Sequence, residues 1–271
     1  MIKKVFTGAV VLTAALALTA STSFAKKYKY EGGAVANGGS VSGVVSFAGK
    51  PQTIEKDLTK EKNKEFCSKH PMNKGMIRTI EKIKSKDGKL EGAVVFIKDL
   101  AKGKEWKQET VKVDFKACDI SPRVFTVRKT NKGEKEGNLM ITNQDTDTLH
   151  NPHGYDVAGA NRKTLFNKPL PSVGAVADVT KNLKRLKKKK SKHFFLQCGQ
   201  HNYMEAEARI VWNPYYFITD ANGLFKLDQV PAGKYKVTAW HPYAGEHTQE
   251  IIVSEGTETP ADFAVKSTAH R

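Results

Sequence analysis

The sequence predicts an all-β protein in which one β-sandwich is inserted into another. Short runs of apolar or alternating residues, separated by Gly, Pro, Asn and Asp turn signals, fill most of the chain. No segment between residues 106 and 212 shows a convincing helical period. The strand patterns at the two ends of the chain are typical of one small sandwich, and the stretch 106–212 separates them. An insertion accounts for this order because exposed strand connections tolerate a guest whose ends lie close together.

The outer sandwich is predicted to combine residues 39–105 and 213–266. Its strands are expected at 41–47, 92–97, 216–219, 224–227, 234–240 and 249–253. The turn Asp220-Ala221-Asn222-Gly223 lies between two of them, and Asn-Gly favours the positive φ angles of tight turns. The sequence therefore predicts that the strands on either side of this turn form a β-hairpin.

The inserted stretch 106–212 has a strand pattern of its own. Strands are expected at 111–117, 124–127, 139–143, 193–198 and 205–212. In the last of these, Ala206, Ala208 and Ile210 share one parity and the residues between them are charged, as in a half-buried antiparallel strand. About a hundred residues suffice for one β-sandwich core. Outside this stretch, the Lys-rich segment 54–65 predicts a short exposed helix.

The N-terminal residues have the pattern of a secretory signal peptide. Residues 1–25 combine two lysines, the apolar stretch 5–18 and a small-residue exit that ends at Ala25. Residues 26–38 are predicted to be a flexible linker, and 267–271 a tail. No later stretch approaches the roughly 20 apolar residues that a membrane helix needs. We therefore expect a secreted protein, periplasmic or extracellular, without a transmembrane segment.

The chain is strongly basic, with 45 Lys and Arg residues against 28 Asp and Glu residues and a formal charge of +17. Removing residues 1–25 takes away two lysines and no acids, so the charge falls to +15. In an exported protein this charge favours a redox protein with an acidic face, or an anionic envelope polymer, as partner rather than nucleic acid. The densest basic run, 184–192, is open to two interpretations, a docking face or a solvated loop.

One segment has the composition of a metal site. Cys198, His201 and Met204 are spaced C-x-x-H-x-x-M, and His150 lies upstream. One thiolate, two imidazoles and one thioether form the ligand set of a mononuclear blue-copper centre, because sulfur suits Cu(I) and nitrogen suits Cu(II). A binuclear copper centre requires a second bridging cysteine, which the sequence does not offer beside Cys198.

The three cysteines are an odd number for an oxidising compartment. Metal ligation accounts for Cys198. Cys67 and Cys118 are then left to form a disulfide, which would stabilise the fold by about 2–4 kcal/mol. In the alternative interpretation, Cys67 and His70 are spaced C-x-x-H and belong to a second metal site.

The metal motif resembles that of the cupredoxins. Asn143-Gln144-Asp145 with Leu149-His150-Asn151 is similar to the strand end and loop that deliver a His-Asn pair, and 198–204 is similar to the C-terminal ligand loop. The resemblance implies one type-1-like copper site with His150, Cys198 and His201 as equatorial ligands and Met204 as a weak axial ligand.

Two details of this site stay open. His153 is an alternative to His150, which is favoured because it directly precedes Asn151. The second ring nitrogen of a ligating histidine usually has a hydrogen-bond partner of its own. Candidates for that partner are Asn143, Asn151 and Gln200.

Segment 219–240 resembles the carboxypeptidase regulatory-like domain, a small transthyretin-like β-sandwich, and 39–100 resembles the opening of the same domain. Residues 39–255 together resemble secreted bacterial cupredoxin-like proteins fused to this domain, some of them methylamine-utilisation-like. The resemblance implies a cupredoxin-like Greek-key β-sandwich inserted into a transthyretin-like β-sandwich. It does not imply peptidase activity, because the likeness concerns an accessory domain.

These observations predict a copper protein that is not an enzyme and that carries one electron between protein partners. An oxidase or reductase is disfavoured because the chain lacks the His-x-His pairs that supply further copper ligands. The alternative function is an envelope binding module with a carbohydrate-binding-like fold and a structural or storage metal site. An exposed aromatic groove formed by Tyr215, Tyr216, Trp240 and Tyr243 would favour that alternative.

Overall fold

The computed structural model describes residues 29–266 and shows an all-β protein, as predicted. The predicted signal peptide, the first residues of the predicted linker and the predicted tail lie outside the described residues. Within residues 29–266, no helix has the length and the hydrophobicity that crossing a membrane requires.

The described residues form 24 strands and two one-turn helices. The strands before residue 105 are β1 (Glu31–Gly33), β2 (Gly39–Phe47), β3 (Gln52–Asp57), β4 (Asn73–Lys74), β5 (Ile77–Ile83), β6 (Ser85–Lys86), β7 (Lys89–Leu90), β8 (Val94–Ile97) and β9 (Lys102–Lys104). The strands from 106 to 212 are β10 (Val111–Lys116), β11 (Asp119–Ser121), β12 (Val124–Arg128), β13 (Leu139–Asn143), β14 (Pro152–Ala158), β15 (Asn161–Asn167), β16 (Val176–Asp178), β17 (His193–Cys198) and β18 (Glu205–Val211). The later strands are β19 (Tyr216–Ile218), β20 (Leu224–Val230), β21 (Gly233–His241), β22 (Gly245–Val253), β23 (Glu258–Pro260) and β24 (Phe263–Val265). The helices are α1 (Lys64–Cys67) and α2 (Thr180–Leu183).

The outer sandwich consists of two sheets whose strands come from both ends of the chain. One sheet has the order β19-β8-β21-β22, and the other has the order β20-β2-β7-β6, with β23 and β24 also paired to β2. Side chains from both sheets fill one apolar core, whose members include Val41, Val95, Phe225, Val237 and Phe263. Burial of this shared core holds the N-terminal and C-terminal segments together.

The inserted sandwich has the sheets β11-β10-β13-β16 and β12-β18-β17-β14-β15. β10 runs parallel to β13, and β12 runs parallel to β18. Parallel neighbours need a crossover connection, so the chain passes repeatedly from one sheet to the other. The core between the sheets includes Phe115, Leu139, Phe194, Leu196 and Ile210.

The chain enters and leaves the inserted sandwich at neighbouring points. The Lys104 N–H donates to the Tyr215 hydroxyl (2.7 Å), and the Asn213 side-chain amide donates to the Ile97 carbonyl (2.8 Å). Adjacent ends allow a domain to be inserted without disrupting its host. We propose that the boundaries between the two sandwiches lie after residues 105 and 212.

Part of the predicted linker is a strand. Residues 31–33 form β1, which pairs in parallel with β9. The Tyr30 ring packs edge-on against Trp106, with ring centroids 6.0 Å apart. These long-range contacts hold a segment whose glycines alone predict flexibility.

The prediction of an exposed helix at 54–65 is wrong. Residues up to Asp57 belong to β3, which pairs antiparallel with β5, and α1 begins only at Lys64. The apolar residues of this region are few, but Leu58, Cys67 and Ile80 lie in the core of the inserted sandwich. Strand pairing and burial therefore override the helix propensity of the lysines.

The prediction of a hairpin around Asn222-Gly223 is also wrong. β19 pairs with β8 and β20 pairs with β2, so the two strands lie in different sheets of the outer sandwich. The Asp220 Oδ1 accepts the N–H groups of Asn222 (2.9 Å) and Leu224 (3.0 Å), and Gly223 has a φ of +69°. The turn forms at the predicted residues, but it connects two sheets instead of two neighbouring strands.

His241 is buried at the end of β21, where the two sandwiches meet. Its Nδ1 accepts the backbone N–H groups of Tyr243 (3.3 Å) and Ala244 (3.2 Å). Burial lowers the pKa of His241 to about 4. The folded protein therefore holds this ring in its neutral form.

We expect His241 to make the fold sensitive to acid. The pKa of an unfolded histidine is about 6.5, so the contribution of His241 is fully present above that pH and is lost as the pH falls towards 4. The loss amounts to about 3 kcal/mol in the free energy of unfolding. Urea unfolding between pH 7 and pH 4 measures it. His241→Gln, which cannot titrate, should show a smaller decrease over this range, and an equal decrease contradicts the prediction.

Candidate metal centre

The antiparallel pair of β14 and β17 brings two parts of the predicted metal motif together. Pro152 at the start of β14 lies opposite Cys198 at the end of β17. The Gly199 N–H donates to the Asn151 carbonyl (2.8 Å), and the Asn151 N–H donates to the Cys198 sulfur (3.5 Å). This register holds His150 beside Cys198.

Three of the predicted ligands meet at one buried point. The Nδ1 atoms of His150 and His201 lie 3.6 and 3.7 Å from the Cys198 Sγ. The two imidazole rings have centroids 5.2 Å apart, and all three side chains are fully buried. The ligand atoms of these residues lie within 4.8 Å of one another. The cluster therefore offers one sulfur and two nitrogens to the same small volume.

The backbone of the ligand loop closes on itself. The Met204 N–H donates to the His201 carbonyl (2.9 Å), and the Cys198 N–H donates to the Met204 carbonyl (3.0 Å). The Met204 side chain is fully buried in the same core as Cys198. These contacts place Met204 next to the cluster, and its role as axial ligand stays a prediction.

The surroundings of Cys198 favour the thiolate, which is the form that binds metals. Burial alone raises the pKa of a thiol, but hydrogen bonds from His150, His201 and the backbone N–H groups of Asn151 and Gln200 outweigh it. Together they lower the pKa of Cys198 to about 6. The protein thus holds a negatively charged sulfur between two imidazoles near neutral pH.

The second nitrogen of His150 is held by Asp145, which is not among the predicted partners. The His150 Nε2 lies 2.8 Å from the Asp145 Oδ2, and both residues are buried. Burial raises the pKa of Asp145, but the bonds from His150 and from the N–H groups of Cys118 and Ala117 outweigh it and lower the pKa. Burial lowers the pKa of His150, but the contacts with Asp145 and Cys198 raise it by more than burial lowers it. The net shift of the pKa is therefore upward.

Asn143, one of the three residues predicted as ring partners, has other contacts. The Asn143 side-chain amide donates to the carbonyls of Thr148 (2.8 Å) and Leu170 (3.0 Å), and its Oδ1 accepts the Asp145 N–H (2.9 Å). Asn143 therefore shapes the loop that carries both Asp145 and His150. A carboxylate following Asn143-Gln144 was the available sequence signal for this partner.

His153, the alternative ligand, does not join the cluster. Its ring stacks on the Tyr155 ring, with centroids 4.1 Å apart. Its Nδ1 accepts a hydrogen bond from the Tyr155 hydroxyl (2.8 Å), and its Nε2 lies 3.2 Å from the Thr164 hydroxyl. The structure therefore brings His150, and not His153, to Cys198.

The predicted disulfide between Cys67 and Cys118 is confirmed, with an S–S distance of 2.07 Å. Cys198 is the free cysteine, and it is buried. The alternative site at Cys67 and His70 is contradicted, because the Cys67 sulfur is bonded to Cys118. The His70 Nδ1 accepts the Met72 N–H (3.0 Å), and its Nε2 lies 3.5 Å from Asp119.

The four aromatic residues that would favour a carbohydrate-binding groove are not arranged as an exposed platform. Tyr215 is fully buried, Trp240 is 8% exposed, and Tyr216 and Tyr243 are partly buried. The Tyr243 ring lies under the Lys82 ammonium, 4.8 Å from the ring centroid. In the part of the chain that the structure describes, this set therefore lacks the exposed surface that stacking on a sugar needs.

The donor set of the cluster fits copper. A thiolate and two imidazoles, with a thioether close by, are the softer ligands that copper prefers to oxygen. A structural zinc site normally has four protein ligands, and the nearby carboxylate of Asp145 is already engaged by three N–H donors.

No protein-family model matches the chain, and no curated protein matches it. Among solved structures, it is similar to a methionine-to-alanine variant of amicyanin with Cu(I), at 12% identity over 38% of this chain and 82% of that chain, with a TM-score of 0.26. A purple cupredoxin from Nitrosopumilus maritimus is 16% identical over 37% of this chain and 99% of that chain, also at a TM-score of 0.26. A copper-containing nitrite reductase from Thermus scotoductus SA-01 is 17% identical over 40% of this chain and 24% of that chain, at the same TM-score. Similarity at this level does not establish a family.

Proposed function

We propose that the protein binds one copper ion and transfers one electron between protein partners in the cell envelope. His150, Cys198 and His201 would be the equatorial ligands, and Met204 the weak axial ligand. The observation that carries the proposal is the buried cluster in which both Nδ1 atoms lie within 3.7 Å of the Cys198 sulfur.

The chain's own residues prepare the site for electron transfer. Copper, when bound, supplies a Cu(I)/Cu(II) couple. The paired strands β14 and β17 fix the positions of His150 and Cys198, and Asp145 fixes the orientation of the His150 ring. Full burial of the three ligands keeps water away. A rigid, dry site limits rearrangement when the ion changes charge, which favours fast one-electron exchange.

The position of the cluster supports a carrier and not an enzyme. Two cavities, of about 460 and 380 Å³, lie where the two sandwiches meet, and residues such as Arg123, Trp240 and His241 line them. None of the three proposed equatorial ligands lines either cavity. An electron can pass through a buried ligand, whereas a substrate needs an opening to the metal. The charge of the secreted chain, +15, favours a partner with an acidic face.

Copper loading of the mature protein tests this function. One equivalent of Cu(II) should produce an intense thiolate-to-copper absorption band in the visible range and the EPR signal of a single ion. In a titration with a one-electron reductant, one equivalent per chain should bleach the absorption band completely. Zinc-loaded protein is the control and should stay colourless. A colourless copper-loaded protein with weak affinity would instead favour the envelope binding module.

A further inference from the structure

The disulfide lies against the candidate copper cluster. Cys67 is the last residue of α1, Cys118 lies in the turn between β10 and β11, and both are fully buried. Their two sulfur atoms and a ring nitrogen of His201 lie within 4.8 Å of one another. His201 therefore lies close to two sulfur groups, the Cys198 thiolate and the disulfide.

Several buried polar atoms in this region have no hydrogen-bond partner. They include the Nε2 of His201, the Tyr203 hydroxyl and the Nη1 of Arg78. Because the His201 Nδ1 faces Cys198, the Nε2 lies on the other side of the ring. A buried polar group without a partner costs about 1–3 kcal/mol, and in native proteins it calls for an explanation such as an ion or a redox role.

Arg78 supplies positive charge next to the disulfide. Its Nη2 donates to the backbone carbonyls of Cys67 (3.4 Å) and Ala117 (3.0 Å). The Nη1 lies 3.6 Å from an oxygen of Asp119, which is a long ion pair. A nearby cation in a buried site offsets part of the negative charge on thiolates. The Asp145 carboxylate, which lies within 4.8 Å of the Cys118 sulfur, acts in the opposite direction, so metal ligation itself must hold the two sulfurs deprotonated after reduction.

We propose that Cys67, Cys118 and His201 form a second metal site, for Cu(I), that exists only when the disulfide is reduced. The two thiolates and a ring nitrogen of His201 supply two soft ligands and one nitrogen ligand. Cu(I) suits this set, whereas a structural Zn(II) site normally has four protein ligands. The two thiolates with Cu(I) carry one net negative charge, part of which Arg78 offsets. The proposal rests on the proposed function only in that His201 is shared with the first site.

The redox step balances with a dithiol as reductant. The dithiol gives two electrons, the Cys67–Cys118 bond breaks, and the dithiol becomes a disulfide. Its two protons pass to solvent, because the two new thiolates bind Cu(I) and not hydrogen. When His201 ligates a copper ion at both sites, it does so as an imidazolate, and its ring N–H proton passes to solvent as well. A change in thiol redox state would then alter how much copper one chain holds, and His201 would couple the two sites.

Cu(I) stoichiometry tests this site. The mature protein is prepared with the disulfide intact and, separately, after reduction with a phosphine, and thiol counts of one and three verify the two states. Each form is titrated with Cu(I) against a chromophoric chelator. We expect the reduced form to bind one equivalent more than the oxidised form. The amount bound by the oxidised form reports the first site alone, so the two proposals can fail separately.

Three variants sharpen the result. Replacing both Cys67 and Cys118 by serine should abolish the gain. Cys198→Ser keeps the disulfide and should bind one Cu(I) only after reduction, which tests the site even if the double variant fails to fold. His70→Ala is the matched control and should keep the gain. Equal stoichiometry in the two wild-type forms overturns the proposal, as does a gain that survives in a folded double variant.

Discussion

Cys198→Ser should abolish the visible absorption band of the copper-loaded protein. The band requires charge transfer from a thiolate, and a serine hydroxyl is neither soft nor deprotonated at neutral pH. Changing a residue that only hydrogen-bonds to a ligand lowers metal affinity about 10- to 100-fold. The loss of Cu(II) affinity in Cys198→Ser should be larger, because the variant loses a ligand itself. Absorption and EPR spectra of the Cu(II)-loaded variant, with chelator competition for the affinity, measure both effects.

Two matched variants define what is specific to Cys198. His153→Ala should keep the band, since the His153 ring contacts Tyr155 and Thr164 and not the cluster. Met204→Leu should also keep it, because the thioether is proposed only as a weak axial ligand. A band that survives in the Cys198→Ser protein, or that disappears in His153→Ala, contradicts the ligand assignment.

The sequence was sufficient to select three of the residues that meet in the cluster. His201 follows Cys198 at a spacing that only a tight loop accommodates, so their proximity is a local property. His150 is different, because its place beside Cys198 depends on the register of β14 and β17, in which Pro152 lies opposite Cys198. The resemblance of the two motifs to cupredoxins supplied that long-range information, which hydrophobic periodicity does not contain.

The partner of His150 could not be predicted in the same way. Asp145 reaches His150 because the loop between them folds back, and that shape depends on Asn143 and on the backbone of Ala117 and Cys118. Such contacts join segments that are distant in sequence. The misassigned hairpin has the same origin, since the Asp220 turn is locally specified but the sheet that each strand joins is decided by distant strands.

The segment that packs over His201 could also not be predicted from the local sequence. Residues 54–65 contain four lysines, and this composition favours an exposed segment. The disulfide ties the end of α1 to Cys118 in the inserted sandwich, and Lys62 donates to the Gln200 side chain (2.9 Å) next to His201. A segment assigned from its sequence to the outer sandwich thus packs over the metal cluster.

Asp145→Ala should weaken both the fold and the metal site. The carboxylate accepts the N–H groups of Ala117 and Cys118 and lies 2.8 Å from the His150 Nε2. Ala117 and Cys118 both have positive φ angles, of 53° and 52°, which residues other than glycine rarely adopt. Removing the acceptor leaves buried donors unpaired, so the free energy of unfolding of the copper-free protein should fall by about 3–5 kcal/mol in denaturant titrations.

The copper affinity of Asp145→Ala should fall by about 10- to 100-fold, because His150 loses the partner that orients its ring. Chelator competition measures this loss separately from unfolding. Asp145→Asn tests the role of the charge, since its amide oxygen can still accept one of the three hydrogen bonds. It should therefore lose less stability than the alanine variant. If Asp145→Ala binds copper as tightly as the wild type while remaining folded, His150 does not depend on this carboxylate, and its assignment as a fixed ligand must be revised.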